Sequence, residues 1–194
     1  MTTRTSLVAL LVVASSALAQ IERVEDLTLS GARGTGRLAN DAYAPAIAVN
    51  DAGVVAVVWV DTRRGEEDLF AMTLVPGSDA GAVIKALVTD PGSQTNPALA
   101  AQLDGRFTLA WQETKSGQTL LHVGRFTTSL GVSDEAVQAS GRAPSLFTEG
   151  DGTVWLAWQQ MASSTPGASS ELRVQRAEDL LTGATGIPFV VPFD

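Results

Sequence analysis

Pro45-Ala46-Ile47-Ala48-Val49-Asn50-Asp51-Ala52-Gly53-Val54-Val55-Ala56-Val57-Val58-Trp59 is the stretch on which the fold turns, because the chain follows the same plan twice more. The second copy has Pro97-Ala98-Leu99-Ala100, the turn Asp104-Gly105, and the apolar run Arg106 to Trp111. The third has Pro144-Ser145-Leu146-Phe147, then Asp151-Gly152, and Thr153 to Trp158. Pro45, Pro97 and Pro144 are spaced 52 and 47 apart, and Trp59, Trp111 and Trp158 keep the same two spacings. Two markers that hold one register define a repeat of about fifty residues.

Turn chemistry divides each unit into strands. A short strand follows the proline, whose missing N–H suits a strand's first position. Asn-Asp-Ala-Gly, Asp-Gly and Gly-Asp-Gly then make hairpin turns, since Gly, Asn and Asp accept positive φ at little cost. A second strand ends at the tryptophan. A third is expected at Leu69–Met72, Leu120–Val123 and Leu172–Val174, and a fourth near Ala82–Val88, Ala136–Ala139 and Ile187–Val191. Four antiparallel strands per unit is the count of a propeller blade.

One face of the second strand carries Val55, Val57 and Trp59, matched by Phe107, Leu109 and Trp111 and by Val154, Leu156 and Trp158. The other carries Val58, Ala110 and Ala157 beside each tryptophan. A sheet with one wet face alternates apolar with polar, so these strands are expected to be covered on both sides. Blades stacked face to face do that, the small residues admitting the tryptophan of the next sheet. A β-sandwich needs no fifty-residue period and is set aside. The expected fold is all-β, with three four-stranded antiparallel propeller-type blades at about 42–93, 94–140 and 141–194, forming a partial or open β-propeller. Three blades do not close a ring. A homodimer completing six blades, capping strands (Glu25–Leu29 and Ile187–Val191), or a truncated propeller would each resolve this, and all three stay open.

Residues 1–19 read as a cleaved signal peptide. Arg4 precedes the apolar run Leu7–Ala14, and Ala17-Leu18-Ala19 supplies a small-residue cleavage site. Eight apolar residues fall far short of the ~20 that span a membrane, so no membrane span is expected and the chain should be secreted or periplasmic. Residues 20–41 form an N-terminal segment. From Gln20 onward 21 acids face 12 bases, a net charge of −9, which disfavours nucleic acid, whose binding rests on neutralising phosphates. There is no cysteine, hence no disulfide and no thiolate metal site.

Pro-x-Ile/Leu-Ala, then Asp-x-Gly or Asp-Gly, then an apolar strand closed by Trp, followed in the first unit by Asp61-x-Arg63-x-Gly65-x-x-Asp68, resembles the degenerate blades of secreted bacterial proteins in the sialidase-like (BNR-like) superfamily. The likeness runs over roughly residues 40 to 180. The Asp-box of that family, Ser-x-Asp-x-Gly-x-Thr-Trp, is absent; Thr148 to Trp155 comes nearest and has Gly150 where the aspartate belongs.

Asp61, Arg63 and Asp68 are the most charged cluster, but Glu113, Lys115 and Gly117 repeat the pattern, which marks a turn scaffold. Residues that differ at one repeated position are better ligand-binding candidates. Two places before each proline stand Tyr43, Thr95 and Arg142, expected at one mouth of the channel if the first strand is innermost. Arg142-Ala143-Pro144 also resembles the Arg-x-Pro of sialidases, which implies a grip on a substrate carboxylate. Tyr43, the only tyrosine, has no evident partner, so no catalytic set is assembled. The single histidine, His122, is expected in a surface or half-buried strand position, without a second ligand for a metal. The structural repeat residues are Trp59, Trp111, Trp158, Pro45, Pro97 and Pro144. The chain thus reads as an exported non-catalytic binding or scaffolding module, with no cofactor and a glycan or protein ligand. A sialidase-like glycan-processing enzyme is the alternative.

Overall fold

A computed structural model describes residues 42–77, 84–161, 170–184 and 186–192, all within the unit Ala32–Asp194. The signal peptide and the Glu25–Leu29 strand expected above lie outside the described residues. Among these, the chain is all-β with one short helix. The first sheet holds β1 (Ala42–Val49), β2 (Val55–Asp61), β3 (Asp68–Leu74) and β4 (Lys85–Val88). The second holds β5 (Ser93–Ala101), β6 (Phe107–Lys115), β7 (Gln118–Phe126) and β8 (Val132–Ala139). The third holds β9 (Gly141–Thr148), β10 (Val154–Gln160), β11 (Glu171–Arg176) and β12 (Phe189–Pro192). Each sheet is antiparallel and takes its strands in chain order, the layout of a propeller blade.

The repeat's two markers turn out to be one device. Tyr43 pairs with Val60 and Ala46 with Val58, so Ala44 and Pro45 together oppose Trp59 alone. Asn96-Pro97 opposes Trp111, and Ala143-Pro144 opposes Trp158, in the same way. Each is a β-bulge, two residues facing one. The prolines therefore sit inside their strands rather than at the start, in the one interior position where a missing N–H breaks no ladder bond. The residue before each proline, Ala44, Asn96 or Ala143, has a positive φ of 50, 51 or 50°. Positive φ is costly for a residue with a Cβ, and the same conformation recurs in all three units. Because a bulge shifts side-chain alternation by one, it also re-aims Tyr43, Thr95 and Arg142 relative to the rest of their strands.

The sheets stack. The face bearing each tryptophan is here the front, and the opposite one the back. The back of the first sheet, Val54, Ala56, Val58, Val60, Leu69 and Ala71, packs against the front of the second, Phe107, Leu109, Trp111 and Phe126. The back of the second, Ala100, Ala110, Leu121 and Val123, packs against the third sheet's front, Val154, Leu156 and Trp158. Small residues do admit the neighbour's indole. The second and third sheets approach closely at Gly141, where an added Cβ would lie 2.6 Å from Leu121 Cβ. Trp59, Trp111 and Trp158 are each at most 2 % exposed, so truncating one leaves a large cavity.

The sequence pattern does not announce α1 (Ala177–Thr182), which is too short to show helical periodicity. It ends at Gly183, whose φ of 68° is left-handed. Ala177, Leu180 and Leu181 join the apolar cluster between the second and third sheets, and Arg125 on β7 pairs with Glu178. Tertiary packing, rather than propensity, holds this helix.

Candidate functional site

Bulge geometry carries Tyr43 to the crevice between the first two sheets. Its hydroxyl donates to Glu67 Oε1, and the Ser93 hydroxyl donates to Glu67 Oε2. The Gln94 N–H donates to the Glu67 carbonyl at 2.7 Å. One glutamate thus ties β1, the β2–β3 turn and the start of β5 together. Beside it opens a cleft of about 380 Å³ lined by Thr62, Gly65, Glu66, Glu67, Gly92 and Ser93. Gly92 is needed there: its φ is 131°, and a Cβ would sit 3.0 Å from the Thr114 carbonyl and 3.1 Å from Glu113 Oε1.

Below the cleft, Asp61 anchors the turn. Its carboxylate accepts from the Trp59 indole N–H at 3.2 Å, from the Arg63 N–H at 2.8 Å and from the Arg63 guanidinium at 2.5 Å. Burial pushes the Asp61 carboxyl up, but the hydrogen bonds from Arg63 and Trp59 outweigh it and hold the group below the ordinary range. Its cross-strand partner Asp68 goes the other way. Desolvation raises it, and Arg64, whose Nε lies 3.1 Å away, only partly offsets that. Arg63 lies 4.4 Å over the Phe70 ring, a cation–π contact. Trp158 repeats the indole contact, donating to Gln160 at 3.1 Å. Gln160, two places after its tryptophan, is therefore the third unit's counterpart of Asp61 and Glu113. The charged cluster belongs to the turn's frame.

The other candidates are engaged within their own sheets. Arg142 donates through Nε to the neutral Gln159 Oε1 at 2.8 Å. Thr95 is half-buried in register with Gln112. The three candidates share a repeat position but lie one to each sheet. Tyr43 is the one hydrogen-bonded to a residue of the cleft's lining, Glu67.

His122 is buried rather than exposed. Its ring stacks on Trp111 with centroids 4.9 Å apart. Nε2 meets Glu113 Oε2 at 2.8 Å and Nδ1 meets Glu135 Oε1 at 2.5 Å. Among the described residues no cluster of three or more His, Asp or Glu is arranged to hold a metal ion, and no helix is long and apolar enough to cross a membrane.

Glu67 and Ser93 are the site residues that the sequence pattern did not single out. The available signal was the pair Glu66-Glu67, which has no acidic counterpart between Glu113 and Leu120.

Fold and cleft together define an all-β protein of stacked four-stranded sheets with a polar crevice at one end of the first interface. No family model matches the chain, and no curated protein does. A crystal structure of a protein of unknown function from Dyadobacter fermentans is similar to it, with a TM-score of 0.56 at 12 % identity. The match covers 80 % of this chain and 56 % of that one, so the chain spans little more than half the length of that protein. At this identity the likeness concerns the fold.

Proposed function

We propose that the chain is an exported, non-catalytic binding or scaffolding module that takes a hydroxyl-rich glycan or a polar protein segment at the Tyr43–Glu67–Ser93 cleft. The observation that carries this reading is the cleft itself: an open crevice lined by backbone, hydroxyls and two carboxylates, positioned by residues of two sheets. Among the described residues its lining carries two carboxylates and no cation, which favours neutral or cationic groups over anions. Both Glu67 oxygens are already accepting hydrogen bonds, which suits a positioning role. Secretion or a periplasmic location rests on the N-terminal pattern, and a second copy of the chain is its expected protein partner. Tyr43→Phe and Glu67→Gln should each weaken binding of the best ligand from a glycan panel by tenfold or more, with the melting temperature little changed. Binding that is unaffected by both substitutions would refute the cleft.

One observation favours the sialidase-like alternative. The phenol of Tyr43 is hydrogen-bonded to a carboxylate that could take its proton. Turnover of sialosides or aryl glycosides that is abolished in Tyr43→Phe and Arg142→Ala, with folding intact, would establish that reading instead.

A further inference from the structure

We infer that the back of the third sheet is an interaction surface for a second copy of this chain, which docks the front of its own first sheet there. This deepens the pairing named above by assigning its surfaces. It rests on the blade layout and is independent of the cleft's ligand.

The repeat itself supplies the precedent, because two like faces in the same chain are covered. At the position three before the tryptophan, Ala56 and Thr108 are both 0 % exposed, whereas Trp155 is half-buried. At the position three after the proline, Ala48 is half-buried and Ala100 is buried, whereas Phe147 is 64 % exposed. Across the same face Phe189 is 69 % and Val191 50 % exposed, beside half-buried Leu172 and Val174. A contiguous apolar face of this kind marks a contact surface.

The matching front is that of the first sheet. Val55 and Val57 are half-buried where Phe107, Leu109 and Leu156 are fully covered, and Ile47 and Val49 are 48 and 45 % exposed. Its far end, Trp59, Phe70 and Met72, is already buried, so docking uses the β1 end. Size agrees as well. Inside the chain a small back (Ala48, Ala56) meets a bulky front (Phe107, Leu109). At the two open faces a bulky back (Phe147, Trp155) would meet a small front (Val49, Val55, Val57), so close packing is kept.

Sedimentation of the full chain over a range of concentrations tests this. The wild type should pair at micromolar concentration. Phe147→Asp, on the back, and Val49→Asp, on the front, should each sediment as single chains, with Phe147→Ser and Val49→Ser following should either aspartate prevent folding. Val137→Asp, on the outer strand of the second sheet, should pair like the wild type. Mixing the Phe147 and Val49 variants should restore pairing, because that mixed pair keeps one intact back-to-front contact. A wild type that stays monomeric, pairing that ignores both substitutions, or a mixture without rescue would overturn the proposal. None of these outcomes bears on glycan binding at the cleft, so the two proposals fail separately.

Discussion

The backs of the first and third sheets occupy the same place in the repeat and are both apolar, yet one is core and the other is surface. Ala56 and Val58 lie under Trp111 and Leu109 of the next sheet. Trp155, Phe147 and Phe189 have no sheet upon them among the described residues, and the last two are mostly exposed. Both strands run apolar up to the repeat tryptophan, over Val54–Trp59 and Val154–Trp158. What separates them is whether a neighbouring front stacks on top, so the same pattern yields a stability determinant in one place and a contact surface in the other.

The sharpest way to break that comparison is to remove the indole lying on the first back. Trp111→Ala should cost about 3–5 kcal/mol, the range for truncating a large buried aromatic, measured by urea unfolding. Near-wild-type stability would mean that the stacked interface is not the core. The His122 ring stacked on Trp111, with its two glutamates, would lose its support at the same time.

A smaller effect is expected at Asp61, where a hydrogen-bonded charge adds to packing. Asp61→Asn should destabilise by about 2 kcal/mol at neutral pH, the scale of hydrogen bonds to a charged group. Because folding lowers the Asp61 pKa, its contribution is full above the unfolded value of about 3.8 and is lost as pH falls through the lower folded value. The deficit of the variant should therefore shrink on acidification. Asp68 has the opposite sign. Its raised pKa makes the wild type lose stability as pH rises through the folded value, so Asp68→Asn should gain at neutral pH and the gain should vanish in acid. Parallel pH profiles for the two variants would contradict the opposed environments of this cross-strand pair.

The smallest effect belongs to the uncovered back. Trp155→Ala should change the stability of the dissociated chain by less than about 1 kcal/mol, as surface substitutions do, despite the indole's 3.1 Å bond to Glu149 and the Arg176 guanidinium 5.7 Å over its ring. A cost approaching that of Trp111→Ala would mean that this face is covered after all, and would erase the contrast.

Much of the architecture was legible because it is written in local terms. Turn residues mark the hairpins, apolar runs mark strands covered on both faces, and the common spacing of proline and tryptophan marks the unit. The reason for that spacing was not legible. Pro45, Pro97 and Pro144 read as strand starts, and only cross-strand register reveals a bulge placing each opposite its tryptophan. His122 read as a surface or half-buried strand residue because the two glutamates that meet it lie 9 and 13 residues away. Tyr43 was singled out without its partner, since Glu67 is 24 residues along and Ser93 is 26 beyond that.

The sequence by itself determined that this is an all-β chain of three like units, because strand propensity, turn chemistry and period act over a few residues at a time. Tertiary structure alone decided which apolar faces are core, which polar side chains meet at the cleft, and that six residues after β11 become a helix. Those outcomes depend on distant segments meeting in space, where burial and hydrogen bonding replace water and no short stretch of chain holds both partners.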